Sequence, residues 1–291
     1  MKPGISKIGM AEYLAIEALS SGTAHKLLTV SAYHAWHDSP LNPSREQDNA
    51  RAADIGSAAD ELLLGGESRI AEVPFDDYRK NDAKVLRDAA YEAGQIPVLS
   101  KAMPRLRAMV DEARAFLAAP GCQLRGILDN GEPQLTATWE AGGAILKMRP
   151  DWWTTDRSRI LHYKTTEKTT TPARYIRGQF RSMGHYLAAA FYERGAQAAG
   201  HEAESFFMVQ SQEAPFACFL VGLDPAYREL ASAEATRAIT TWAKCLATGR
   251  WPKFSGDVHY ASPMPWEEAE EQERDLNDAY DALQEKEGLQ P

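Results

Sequence analysis

The sequence predicts an α/β (α+β) protein in which a small mixed β-sheet, flanked by helices, follows an N-terminal helical region. Three observations predict it. Amphipathic spacing of helical period dominates up to Pro120-Gly121. From Cys122 to Thr166 the pattern changes to short runs rich in β-branched and aromatic residues, separated by turn residues. After Pro172 helix signals and strand signals alternate. Three parts follow from this, residues 1–121, 122–256 and 257–291, all within one structural domain.

Residues 10–19 read as a short helix. Ser20-Ser21-Gly22-Thr23 starts a second, capped by Ser or Thr, that reaches about His37 with Leu27, Leu28, Val30, Tyr33 and Trp36 on its apolar face. His34 and His37, three apart, either share a metal or flank Trp36 at the helix end. Residues 40–45 form a loop. Residues 52–64, containing G-S-A-A-D-E-L-L-L, read as a helix with Ala58, Ala59, Leu62 and Leu63 inward and Asp60 at the border of that face. A charged amphipathic helix ends near Ala93, residues 94–100 connect, and residues 103–118 form a further helix. Residues 123–128, 132–139 and 144–153 read as strands, and 160–165 completes a sheet of about four. Pro172 opens a long helix over roughly 173–199, where proline is tolerated in the first turn. Two more strands, 205–210 and 217–223, precede a helix that Asp224-Pro225 opens and that carries Trp242 on its apolar face to Thr248. Residues 267–291 are an acidic helix or a partly disordered tail.

At 291 residues and 44% apolar content the chain can bury a sizeable core. No run of about 18 apolar residues marks a membrane span. The first ten residues lack the apolar core of a secretion signal. Three widely spaced cysteines fit a reducing cytoplasm and exclude iron–sulfur or zinc spacings. The net charge of −9 is unevenly distributed. All of it resides from Asp257 onward, where eleven acidic residues face Arg274 and Lys286. Between Ile145 and His185, nine Lys/Arg face three acids, a local excess that suits a phosphate ligand.

That basic stretch holds the element of most chemical interest, residues 147–166, read as two extended segments about a Thr155-Asp156-Arg157-Ser158 turn. Residues two apart share a strand face, so His162 and Lys164 point one way and Tyr163 the other. Closing the hairpin brings Asp151 beside them. A carboxylate, an imidazole and an ammonium together can hold a divalent cation and steer a water. Arg174, Arg177 and Arg181 at i, i+3 and i+7 form a helix face directed back at the hairpin.

Pro150-Asp151 followed by x-x-Lys164 resembles the PD-(D/E)xK nuclease motif, and the chain is similar over about residues 20–266 to phage and prophage exonucleases of the exodeoxyribonuclease VIII (RecE) type. The resemblance implies a restriction-endonuclease-like core. It implies one metal site built from a helix His, the Asp of Pro-Asp, the acid of (D/E)-x-K and the carbonyl after that acid, with the Lys orienting the water. Asp151 and Lys164 carry over as catalytic residues. The other two positions are exchanged in kind, with Asp60 where the helix His is expected and His162 where the acid is expected. The expected metal ligands are therefore Asp60, Asp151, His162 and the Tyr163 carbonyl, holding Mg²⁺ or Mn²⁺. Expected DNA contacts are Arg149, Lys168, Arg174, Arg177, Arg181, His185 and Tyr186. Ala188 stands four residues before Tyr192, where relatives often carry a DNA-holding Gln.

The implied activity is metal-dependent hydrolysis of linear double-stranded DNA for phage-type recombination. It implies a ring-shaped oligomer and a single-strand annealing protein as partner, in the cytoplasm of a bacterial host. Two alternatives stay open, an endonuclease or single-strand nuclease on the same core, and a DNA-binding or interaction module whose site has decayed.

Overall fold

Capping residues divide the N-terminal region more finely than its periodicity suggests. A computed structural model describes residues 4–45, 55–65 and 69–287. In it β1 (Gly4–Ser6) and α1 (Met10–Ala15) precede α2 (Ser21–Thr29), whose N-cap Ser20 side chain accepts from the Thr23 amide. Ser31 caps α3 (Ala32–His37) in the same way, accepting from the His34 amide. The helix expected to run unbroken to His37 is thus two. Ser31 Oγ also bonds His34 Nδ1, and His37 Nδ1 bonds Asp38 Oδ1, so the two imidazoles are engaged locally.

α4 (Ile55–Asp60) runs directly into a π-helical turn, Glu61–Gly65. The start expected for it, residues 52–54, lies outside the described residues. β2 (Ile70–Val73) pairs in parallel with β3 (Ile96–Leu99) across α5 (Asn81–Glu92), so the connecting segment expected over residues 94–100 contains a strand. α6 (Met103–Ala118) spans the expected residues, with Leu106, Met109, Val110, Ala113 and Leu117 buried along one stripe.

The strand expected over 123–128 is a run of turns instead. Successive i→i+3 bonds link Arg125 to Cys122, Ile127 to Leu124 and Asp129 to Gly126. Leu124 and Ile127, three apart, both enter the core, which a period-two strand cannot arrange. The next two expected strands are each split. β4 (Gly131–Pro133) and β5 (Thr136–Ala141) part at Gln134, whose φ is 53°. β6 (Ala144–Met148) and β7 (Trp152–Thr154) part at Pro150, which has no amide to give a ladder. β8 (Arg159–Thr166) follows.

Beyond it, the long helix expected over 173–199 is broken into α7 (Pro172–Tyr175), a π-helical turn (Ile176–Phe180) and α8 (His185–Ala198). Tyr175 and Phe180 are both in the core. Five residues apart, they would diverge by about 140° on an α-helix, and the i→i+5 turn brings them to one side. Gly184, at φ 71°, then redirects the chain into α8. β9 (Glu204–Ser211), β10 (Cys218–Val221), α9 (Pro225–Thr248) and α10 (Pro265–Glu287) complete the chain. Asp224 caps α9 and Trp242 is buried on it, as expected.

The strand order β10-β9-β8-β7-β4 makes β8 the centre of a five-stranded mixed sheet, parallel to β9 and antiparallel to β7. A second sheet has the order β1-β5-β6. One core cluster includes Ile160, Phe180, Leu187, Phe207 and Trp242; another includes Ala58, Ala59, Leu106, Leu161, Tyr163 and Met208. The alternation of Ile160, Leu161 and Tyr163 between them shows that both faces of β8 are covered, one by α8 and α9, the other by α4 and α6. Such mixed layers of small sheets and flanking helices are the expected fold class. Two compact units divide the chain, Met1–Lys253 and Phe254–Pro291.

Gly195 fixes how closely α8 approaches the β5–β6 sheet. A methyl there would lie 2.5 Å from Met148 Sδ and 2.9 Å from the Trp139 ring. We expect Gly195→Ala to destabilise the protein by about 1–3 kcal/mol through overpacking, despite alanine's better helix propensity, as read by urea denaturation.

Candidate functional site

The site forms where the β7–β8 ladder stops. The turn closes as the sequence suggests, with Asp156 accepting from the Ser158 amide at 3.0 Å and the Thr154 hydroxyl at 2.6 Å. Ladder pairing reaches only Trp152↔Leu161, because Pro150 lies one residue beyond Asp151. The Tyr163 amide, past the end of that ladder, is taken by Asp151, whose Oδ2 accepts it at 3.0 Å. The same oxygen accepts Lys164 Nζ at 2.9 Å. Both side chains keep some contact with water, at 24% and 32% exposure. Burial works to raise the Asp151 pKa, but the Lys164 ammonium, His162 and the Tyr163 amide hold it below the usual carboxylate range. Lys164 is held above its usual range by Asp151 against the opposing effect of burial.

Asp60 arrives from the end of α4, at the junction with the first π-helical turn. Its neighbour Glu61 is buried and ion-paired to Arg69, Nη2 to Oε2, at 2.5 Å. Among the described residues Asp60 has no such partner, and its Oδ1 is buried without a hydrogen bond. Burial, then the charge of Asp151, push its pKa up to about 7, with Lys164 and Arg69 opposing and Glu61 adding to the rise. The second π-helical turn, Ile176–Phe180, follows the Lys164 strand across a short loop. Interrupted helices of this kind recur at functional sites.

His162 sits differently from expectation. Its ring is 2% exposed and stacked between Tyr192 at 4.7 Å and Phe207 at 4.6 Å. Burial lowers its pKa to about 3, so the ring is neutral, and its Nε2 has no partner. His162 belongs to the α8 side of β8, whereas α4 packs with Leu161 and Tyr163 on the other. Among the described residues no group of three or more His, Cys, Asp or Glu is gathered so as to hold a metal ion. The single pocket expected from Asp60, Asp151 and His162 is therefore not assembled in this arrangement. What the geometry does offer is a pair of carboxylates, Asp60 and Asp151, beside an ammonium. That set fits Mg²⁺, which is commonly held by one or two carboxylates together with water and substrate phosphate.

The expected DNA contacts divide. Lys168, Arg174, Arg177 and Arg181 are exposed. The interrupted helix removes the simple i, i+3, i+7 stripe, since the π-turn shifts Arg181 relative to Arg174. Arg181 lies over the Tyr186 ring and 3.5 Å from Glu234. Arg149 is a correction: it donates to the Ile8 carbonyl, Gln134 Oε1 and Thr136 Oγ1, tying β5 to the N-terminal segment. Tyr186 is another, at 3% exposure with its hydroxyl donated to Glu234. His185, at 8% exposure, faces inward and offers DNA no outer surface. Lys147 likewise belongs to the interior, donating to the Tyr13 and Ile16 carbonyls. Sequence reasoning missed Glu61 with Arg69, and the aromatic sandwich around His162; an acid beside Asp60 was the one visible signal.

Residues 23–263 match the family described as PDDEXK-like domain of unknown function, DUF3799. Among solved structures, a candidate exonuclease from Eubacterium rectale superposes with a TM-score of 0.54 at 12% identity, covering 91% of this chain and 98% of that one, which is a likeness of fold. The structure of SSO0001 aligns at a TM-score of 0.27 and 15% identity, over 64% of this chain and 84% of that one, and carries no argument. No curated protein matches. Among the described residues no helix is long and apolar enough to cross a membrane.

Proposed function

This chain belongs to the PDDEXK-like family DUF3799, within the PD-(D/E)xK nuclease superfamily, and from that premise we propose that it is a metal-dependent exonuclease acting on linear double-stranded DNA. The observation that carries the reading is the Asp151–Lys164 contact of 2.9 Å at the open end of the β7–β8 ladder, with the buried Asp60 carboxylate within electrostatic reach of both. Asp60 and Asp151 would hold one Mg²⁺ or Mn²⁺, which supplies a Lewis acid for the scissile phosphate and a more acidic water. Lys164 orients that water or a phosphate oxygen, and its link to Asp151 fixes where its ammonium stands. Lys168, Arg174, Arg177 and Arg181 grip backbone phosphates without reading bases. The preference for linear duplex, the role in phage-type recombination, an annealing-protein partner and a ring of copies rest on the resemblance to exodeoxyribonuclease VIII-type enzymes alone.

A second reading, a DNA-binding domain without catalysis, is favoured by one observation: among the described residues no three His, Cys, Asp or Glu are gathered so as to hold a metal ion. One experiment decides between them. Linear and covalently closed circular duplexes are incubated with the protein in Mg²⁺, in Mn²⁺ and in EDTA. Linear DNA is expected to disappear in metal only, with the circle spared. Retention of both DNAs in both metals overturns the nuclease reading; loss of the circle replaces the exonuclease with an endonuclease.

A further inference from the structure

After Lys164 the chain leaves β8 through T-T-E-K-T-T-T, residues 165–171, a stretch with no large apolar side chain. It has no hydrophobic face to bury, so its shape has to come from hydrogen bonds. The β9–β10 loop supplies them. The Gln212 amide donates to the Thr166 carbonyl at 2.8 Å, and Gln212 Nε2 to Thr165 Oγ1 at 3.0 Å. Glu213 Oε2 accepts the Thr169 amide at 3.0 Å and the Thr169 hydroxyl at 3.1 Å, with the Ser211 hydroxyl 3.2 Å from the latter. The loop that makes these contacts is itself anchored, since Arg105 of α6 donates Nε and Nη2 to the Gln212 carbonyl at 3.1 and 2.6 Å. Ser211 Oγ accepts the Glu213 amide at 3.0 Å.

Glu213, Thr169 and the intervening Lys168 of the clamped segment are all exposed. An exposed carboxylate beside a loop that grips phosphates repels the ligand the loop serves. Its charge is firmly present: the two Thr169 bonds, with Lys168 and Arg105 adding, hold its pKa below the usual carboxylate range. Charge alone therefore makes Glu213 unfavourable for DNA, and its hydrogen bonds are what it contributes. Those bonds go to the residue next to Lys168. Lys168 lies four residues beyond Lys164, and four residues span at most about 14 Å, so its backbone stays close to the Asp151–Lys164 pair.

We propose that Glu213 is a positioning residue for DNA: by holding the Thr169 amide and hydroxyl it fixes the loop that presents Lys168 to a backbone phosphate flanking the Lys164 site, a role that rests on the nuclease reading above. A loop ordered only when DNA arrives subtracts its ordering cost from the affinity, whereas a loop clamped beforehand does not. Thr171 secures the far end of the same loop by accepting the Arg174 amide at 3.3 Å, so the segment carrying Lys168 is held on both sides.

The test uses the full chain with Glu213→Ala, which removes the acceptor, and Glu213→Gln, whose single carbonyl oxygen can take both Thr169 bonds without the charge. Binding to labelled linear duplex is measured in Ca²⁺ over a salt series, and KM and kcat in Mg²⁺. Glu213→Ala is expected to bind about fivefold more weakly, with a salt slope smaller by about 1, the loss of one phosphate contact. KM should rise by the same factor while kcat holds. Glu213→Gln should bind as tightly as wild type or more so. In a Lys168→Ala background, Glu213→Ala should cause no further loss. Unchanged or tighter binding by Glu213→Ala marks a merely repelling surface charge and overturns the assignment. So does a Glu213→Gln as weak as Glu213→Ala, and so does a binding loss matched by falls in kcat and melting temperature; all three leave the nuclease reading intact. A wild type that binds no DNA overturns the nuclease reading, and this assignment with it.

Discussion

Asp151→Asn is expected to reduce metal-dependent loss of linear DNA by about 10³-fold or more while leaving the protein folded. The carboxylate does two things that an amide cannot. It supplies a full negative charge to a divalent cation, and charge stabilisation of that kind accounts for several kcal/mol of a hydrolytic barrier. At about 1.4 kcal/mol per factor of ten, losing it removes roughly three orders of magnitude. It also anchors the Lys164 ammonium at 2.9 Å, so the variant releases the second member of the site as well. The fold survives because an asparagine Oδ1 can still accept the Tyr163 amide. Lys164, at 32% exposure, can turn to water instead of remaining a buried unpaired charge. The expected stability change is therefore only about 1–2 kcal/mol, well below the penalty for stranding a fully buried partner. Initial rates on end-labelled duplex and a thermal melt measure the two quantities side by side. A variant that keeps more than a tenth of wild-type activity would place the chemistry elsewhere in the chain.

The hairpin carrying these residues was legible because its determinants are local. Thr155-Asp156-Arg157-Ser158 closes on its own side-chain hydrogen bonds, and period-two alternation puts His162 and Lys164 on one face whatever surrounds them. α6 and α9 were legible for the same reason, one from its apolar stripe and the other from its Asp224 cap. The elements misread are those in which tertiary packing overrode a local pattern. Tyr175 and Phe180 both had to reach the core, and this converted a continuous helix into a π-turn. Leu124 and Ile127 did the same to an expected strand, making it a chain of turns. The basic residues show the limit most clearly. Composition correctly located an excess of cations, but it could not tell Lys168, which meets solvent, from Lys147, whose ammonium is consumed by two backbone carbonyls. For the site, sequence identified which donors are present; it could not say on which side of β8 each would stand. Asp60 and His162 look like exchanged ligands in one dimension; in the fold α4, which carries Asp60, packs on the Leu161/Tyr163 face of β8, while the His162 ring is taken up between Tyr192 and Phe207.

Asp60→Asn is expected to stabilise the metal-free protein, in contrast to most substitutions of buried polar residues. Asp60 is surrounded by Asp151 and Glu61 as like charges and by Lys164 and Arg69 as opposite ones, and its folded pKa is about 7 against roughly 3.9 in an unfolded chain. The sign follows from proton counting. Between about pH 4 and pH 7 the folded state holds a proton that the unfolded state has lost, so stability falls as pH rises through that window and levels off above it. Three pKa units correspond to as much as about 4 kcal/mol. An asparagine has the same shape and no charge to bury. At pH 8 without metal it should therefore melt several degrees above wild type, and the difference should vanish near pH 4. Adding Mg²⁺ should close the gap from the other side. A cation bound between Asp60 and Asp151 stabilises the folded wild type by mass action and does nothing comparable for the variant. Thermal melts at pH 4 and 8, with and without Mg²⁺, measure all four states. If Asp60→Asn melts at or below wild type at pH 8 in EDTA, the unpaired carboxylate is not a source of instability. The predicted pattern, higher stability with lost activity, is the signature of a residue kept for chemistry at the expense of the fold.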